Sequence, residues 1–171
     1  MNSRDTQATF DSWLRDYAGI LHHVANAFAT GADRHDLMQE LMLALWRAIP
    51  AFRAASLPST FIYRVTHNAA LTWKRAARGH QRKLDALHDL QPASIDLAGQ
   101  PDADAPTEQL ELLYSAIRIL EPLDRSLVLL QLDAVSYAQI AEIHGLSESN
   151  VGVRLNRIKQ KLTTIIQEKT S

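Results

Sequence analysis

Nine residues near the C-terminus, Ser147, Ser149, Asn150, Gly152, Val153, Arg154, Asn156, Arg157 and Lys161, set short polar side chains among cations. Serine and asparagine reach the edges of base pairs, while arginine and lysine hold phosphates, so the chemistry offered is recognition of duplex DNA. A second group lies upstream: Tyr63, Arg64, His67, Asn68, Lys74 and Arg75, with Phe52, Arg53, Ser56 and Ser59 before them. An aromatic ring, an Asn, a His and several cations suit unstacked bases, and a loop rich in small residues can hold an extruded base. Ordinary solvated helix faces are the plainer reading of both groups.

Catalytic and metal chemistry find little support. The chain has no Cys, which removes thiolate ligands, Cys nucleophiles and disulfides. Its seven His show no HExxH spacing, and a helix would splay the adjacent pair His22-His23 apart. There is no Gly-rich phosphate loop and no serine elbow. The expectation is a binding protein, not an enzyme, with no cofactor and no metal.

The formal net charge of −1 conceals segregation. Residues 1–40 carry three basic and six acidic side chains; residues 41–83 carry eight basic and none acidic. Residues 84–148 carry two basic against twelve acidic, and residues 149–171 five against one. Two basic blocks separated by an acidic one point to two anion-facing surfaces. The start of the sequence lacks a basic segment followed by an apolar run, and no apolar stretch approaches the roughly 18 residues of a membrane span, so a cytoplasmic protein without membrane insertion is expected.

The elements that must position these groups are helical. Apolar residues recur at helical spacing and no strand-like alternation occurs, so an all-α fold is expected. The spacing predicts a first helix over 9–30 with Gly31 as its C-cap, a second starting at a capping Asp33 and ending before Pro50, and a third from Thr60 to Gly79 capped by Ser59. In the second helix a narrow strip, Asp36, Gln39, Glu40, Leu43 and Arg47, stays mixed or polar while the rest is apolar. Such a helix is either the core of a small bundle or docked on a partner. Residues 85–107, with three Pro and five Asp before the next cap at Thr107, read as a flexible acidic linker. Beyond it, Ser136 and Gln139 form a capping-box pattern, Gly145 ends a short helix, and Ser147 caps the next. A small Ala141, a turning Gly145 and a filling Val151 have the spacing of a helix-turn-helix.

Two stretches resemble a known family. DLMQELMLALWRAIPAFR with STFIYRVTHNAALTWKRAAR resembles the promoter-melting domain of bacterial RNA polymerase sigma factors. LYSAIRILEPLDRSLVLLQLDAVSYAQIAEIHGLSESNVGVRLNRIKQKL resembles their C-terminal helix-turn-helix domain. Two such domains, a short linker and nothing else resemble the extracytoplasmic-function (ECF) group of the sigma-70 family. The resemblance implies a region 2-like domain over 1–84, a linker over 85–107 and a region 4-like domain over 108–171. It implies an alternative sigma factor that binds core RNA polymerase, directs it to promoter DNA and helps melt it.

By the same resemblance, Asp36, Gln39, Glu40, Leu43 and Arg47 would dock on the clamp of the largest polymerase subunit, and the C-terminal domain would meet the flap of the second. Phe52, Arg53, Ser56, Ser59, Thr60, Tyr63, Arg64, His67, Asn68, Lys74 and Arg75 would read the minus-ten element. The nine residues of the last helix would read the minus-thirty-five element. An anti-sigma factor is an expected partner. The linker's acidity would mimic nucleic acid near the polymerase active site. Four departures stand out: Thr60-Phe61 for Thr-Trp, Thr66-His67-Asn68 for Ala-Arg-Asn, Glu121-Pro122 for Leu-Pro, and Gly152 where a basic residue is common. The alternative is a stand-alone helix-turn-helix repressor or activator that binds as a dimer.

Overall fold

A computed structural model describes residues 3–87 and 106–170. Among the described residues every regular element is helical. Helix α1 runs Ser3–Phe28, α2 Gly31–Ala48, α3 Pro58–Leu87, α4 Glu108–Ile117, α5 Pro122–Leu132, α6 Tyr137–His144 and α7 Glu148–Thr170. A single 3-10 turn, Ile49–Ala51, follows α2 where Pro50 forbids further α-helix.

Helices α1, α2 and α3 pack mutually as an N-terminal bundle. Its centre is Leu37, Leu41 and Leu45 of α2, all fully buried at i, i+4 and i+8, against Leu21, Val24 and Phe28 of α1 and Ile62 of α3. A second α2 stripe is only half-buried; Met38 and Met42 rest on the core, and Trp46 meets the Phe10 ring edge-on at 5.3 Å. Helices α4 to α7 form a C-terminal bundle around Leu127, Leu130, Ile140, Val151, Leu155 and Ile158. The C-terminal bundle lies on α1 and α3, and one apolar cluster runs through both.

Several boundaries differ from the sequence expectation. Helix α1 begins at Ser3, six residues early, and kinks at Tyr17 (φ −129°, ψ 15°). Gly31 does adopt a left-handed φ of +54°, but as the first residue of α2, with Thr30 rather than Asp33 at the N-cap. Asp33 instead sits in the first turn, where the helix dipole favours a carboxylate. Helix α3 starts at Pro58, a residue suited to a first turn, and passes through Gly79 to Leu87. Gly79 has no left-handed φ, so it interrupts nothing; a helical Gly costs about 1 kcal/mol without ending the helix. The linker expectation over 85–107 falls largely outside the described residues.

Two left-handed corners orient the C-terminal bundle. After α5, Ala134 N–H bonds Gln131 O at 3.1 Å and Val135 N–H bonds Leu130 O at 2.9 Å. Ala134, at φ +59°, occupies the position glycine favours in this motif. After α6, Gly145 at φ +66° lets Leu146 N–H reach Ala141 O at 2.9 Å. Ser136 accepts from Gln139 N–H while Gln139 Oε1 accepts from Ser136 N–H at 3.2 Å, completing the expected capping box.

Candidate nucleic-acid interface

The helix-turn-helix is α6, the Gly145 turn and α7. Ser147 caps α7 by accepting Asn150 N–H at 3.2 Å. Val151, Leu155, Ile158 and Leu162 anchor α7 in the core, so the helix's phase is fixed and its other face is turned out. Ser147, Ser149, Asn150, Val153, Asn156, Arg157 and Lys161 are exposed on it; Val153 is 67% exposed. An apolar side chain that bare is available for contact with a thymine methyl.

Two of the nine residues are partly engaged within the protein. Gly152 is half-covered by Tyr137 of α6; a Cβ there would stand 3.4 Å from the ring. Arg154 gives one guanidinium N–H to Asp124 of α5 at 3.1 Å. That pair ties α7 to α5 and leaves the Arg154 guanidinium less free than that of Arg157.

The polar strip on α2 is coherent. Asp36, Gln39, Glu40, Leu43 and Arg47 are all exposed and share one face opposite Leu37, Leu41 and Leu45. Leu43, 39% exposed, is an apolar residue within a charged strip. One side of the helix is therefore core and the other a free surface.

The upstream group divides. Arg53, Arg64, Asn68 and Arg75 are exposed. Arg64 lies over the Phe61 ring at 5.6 Å, which orients its guanidinium. Ala54, beside Arg53, holds a left-handed φ of +53°, unusual for a residue with a Cβ, in the loop that precedes α3. Phe52 is not free for a base: it packs edge-on to Trp13 at 5.2 Å and lies 5.1 Å from Phe61. Ser56 and Ser59 are half-buried and Thr60 is buried.

His67 departs most from its expected outward orientation, being completely buried. Its Nδ1 meets the Ser126 hydroxyl of α5 in a very short contact, and the same hydroxyl meets His144 Nε2 of α6 at 2.8 Å. His67 Nε2 is sealed without a hydrogen-bond partner. Burial, and secondarily His144, lowers the His67 pKa to about 3; burial lowers His144 to about 4. Both imidazoles are therefore neutral at physiological pH. Helical periodicity predicted an outward His67 because it placed Ile62, Val65, Ala69 and Trp73 on the core side; the C-terminal bundle covers the adjoining face, which periodicity within α3 cannot reveal.

Tyr63 and Lys74 also feel that bundle. Tyr63 is half-buried, and its phenol is held above the ordinary range by burial and by Asp133. Lys74 is lowered by burial first and then by Arg125 and Arg78. Around them run further links: His23 Nδ1 to Asp133 at 2.9 Å, Arg118 to the Asn26 carbonyl at 2.7 Å, and Arg78 to Glu121 at 3.6 Å. Asp133 raises the His23 pKa. Arg125 is almost buried, stacks on Phe28 at 5.6 Å and donates to Leu120 O at 2.8 Å. Sequence reasoning missed Ser126, His144, Asp133 and Arg125; a buried Ser and a distant His carry no local periodic signal.

Among the described residues no cluster of His, Asp and Glu could hold a metal ion, and no helix is long and apolar enough to cross a membrane.

Two family models match in succession: sigma-70 region 2 over residues 9–80 and sigma-70 region 4 over residues 110–162. The ECF RNA polymerase sigma-E factor of Escherichia coli K12 is 23% identical, covering 94% of this chain and 88% of that protein. RNA polymerase sigma factor CarQ of Myxococcus xanthus is 25% identical, covering 92% and 88%. Among solved structures, the sigma factor RpoE in complex with the anti-sigma factor NepR from Bartonella quintana superposes with a TM-score of 0.67 at 18% identity, covering 93% of this chain and 97% of that one. CnrH in complex with the cytosolic domain of CnrY gives 0.62 at 17%, covering 95% and 90%. At those identities the structural likeness establishes the fold.

Proposed function

The chain belongs to the ECF group of the sigma-70 family, an alternative sigma factor that directs RNA polymerase, and on that premise we propose which surfaces carry each task. The family is one of transcription-initiation factors. Asp36, Gln39, Glu40, Leu43 and Arg47 dock α2 on the clamp of the largest polymerase subunit, and the C-terminal domain meets the flap of the second. Residues 1–84 form the docking and melting domain, 85–107 the linker, and 108–171 the minus-thirty-five domain.

In the minus-thirty-five element, α7 enters the major groove. Ser149, Asn150 and Val153 face base edges while Arg157 and Lys161 hold phosphates. At the minus-ten element, Arg53, Arg64, Asn68 and Arg75 hold the strand that is captured unpaired. Capture of bases offsets a cost of a few kcal/mol per base taken from the stack. The protein works in the cytoplasm, where polymerase and promoter are, and is restrained there by an anti-sigma factor, a reading supported by its likeness to RpoE, whose structure is in complex with the anti-sigma factor NepR.

The observation that carries this reading is one chain with two cationic faces in the family's order, the first beside an exposed docking strip. The stand-alone alternative finds no support in either family model. Footprinting decides it. The chain with core polymerase should protect an asymmetric region spanning both promoter elements; a two-fold symmetric footprint by the chain alone would overturn the reading.

A further inference from the structure

We propose that Val153 reads the 5-methyl group of one thymine in the minus-thirty-five element, so that this element carries an A·T pair which the chain recognises by an apolar contact. The inference rests on the reading of α7 as the minus-thirty-five helix and names the chemical group read there.

Val153 holds the middle of the outward face. It is two residues from Val151 and two from Leu155, both fully buried, and at about 100° per residue that sets it across the helix axis from the core. It also lies near the start of α7, which begins at Glu148, and the N-terminal residues of a helix in the major groove are the ones that meet base edges. Ser149 and Asn150 stand one turn before it and Asn156 and Arg157 one turn after, all exposed. Val153 is thus a single apolar knob ringed by hydrogen-bonding groups and a cation. One bare apolar residue is ordinary on a protein surface, and it makes no apolar patch for a protein partner. The edge of a base pair matches the whole set: it offers donors and acceptors to the ring and, on thymine, a methyl group to the centre. The surplus of five basic residues over one acidic in 149–171 complements the phosphates on either side.

Neither packing nor helix propensity accounts for valine here. At 67% exposure it adds little to the core, and a β-branched residue forms helix less readily than Gln, Lys or Arg. What valine supplies is stiffness. In a helix its χ1 is held largely to one rotamer, so little side-chain freedom is lost when the knob is covered.

The neighbours let so short a side chain reach. Gly152 carries no side chain, and a Cβ there would stand 3.4 Å from the Tyr137 ring, so no long group projects beside Val153 on that side. On the other side Arg154 is drawn to Asp124 at 3.1 Å. Neither residue adjoining Val153 in sequence holds α7 away from the groove floor at this turn.

Uracil tests the contact, because it keeps the pairing of thymine and lacks only the methyl. Duplexes are first selected from a randomised library by core polymerase with the full chain. Each thymine of the selected minus-thirty-five element, on either strand, is then replaced singly by deoxyuridine. One replacement should weaken binding about fourfold, the worth of one buried methyl-sized group. With Val153→Ser, an exposed change that leaves the core untouched, that replacement should have almost no effect, and the thymine duplex itself should bind about fourfold more weakly than it does to the unaltered chain. A selected element without thymine, replacements that all leave affinity within about twofold, or a fourfold loss that persists in Val153→Ser would overturn the thymine contact while the promoter reading stands. Loss of core polymerase binding in Val153→Ser would place the residue in a protein interface and overturn the contact as well. A chain that selects no duplex with core polymerase would remove the minus-thirty-five reading and this inference with it.

Discussion

Neutralising Arg157 and Lys161 together probes the recognition helix where it is most exposed. Each cation that neutralises a phosphate contributes about −0.9 to the slope of log affinity against log salt. The variant Arg157→Ala with Lys161→Ala should therefore flatten the slope for minus-thirty-five duplex by about 1.8. Between 50 and 200 mM salt that difference compounds to about twelvefold in affinity, since four raised to 1.8 is near twelve. Fluorescence anisotropy with a labelled duplex, titrated at four salt concentrations, reads the slope directly. Arg154→Ala is the internal comparison: its guanidinium already serves Asp124 at 3.1 Å, so its slope change should stay below 0.9. Affinity for core polymerase should be unchanged in both variants. A double variant whose slope stays within about 0.5 of the unaltered chain would refute phosphate holding by this face.

Acid should loosen the contact between the domains. His67 and His144 are held near 3 and 4 where the two bundles pack together, against an ordinary 6.5, so neither opposes that contact above pH 6.5 and both oppose it as pH falls below that value. From pH 7.5 to 5.5 each shifts the balance toward opening about tenfold; His23, raised by Asp133, acts in the opposite sense, so a net shift of about ten- to a hundredfold is expected, and His144→Gln should remove about a factor of ten of it, as read by energy transfer between labelled domains. Ala134→Gly should raise stability by about 1 kcal/mol in urea unfolding, because glycine relieves the left-handed strain that Ala134 bears in its Schellman corner. Glu40→Lys with Asp36→Lys should weaken core polymerase binding at least tenfold while leaving thermal stability within a degree or two, as both side chains are exposed.

Local signals carried most of the fold. The capping box at Ser136, the turn at Gly145 and the buried series Val151, Leu155, Ile158 and Leu162 stand where spacing put them, because each depends on neighbours within a few residues. Gly79 and Gly31 misled at helix ends: a glycine permits a left-handed corner without requiring one, and only the chain's wider path decides. In the candidate site, the outward strip on α2 and the face of α7 were legible because a single helix with one buried stripe must turn the rest outward. The partners of His67 were not. Ser126 and His144 lie 59 and 77 residues away in sequence, and pairing between domains leaves no period to read. Phe52 shows the same limit, since an aromatic next to a basic loop looks free until Trp13 and Phe61 are seen to enclose it.

Transcription reconstituted from purified parts tests the central claim most directly. Core polymerase alone, and core polymerase with this chain, are offered a library of promoter-length duplexes and the transcripts are mapped at their 5′ ends. Specific starts should appear only with the chain, downstream of two motifs about 25 base pairs apart, the spacing that the names of the two promoter elements imply. A chain that associates with core polymerase yet adds no start site, or one that never associates, would contradict the assignment of this protein as a promoter-specificity subunit.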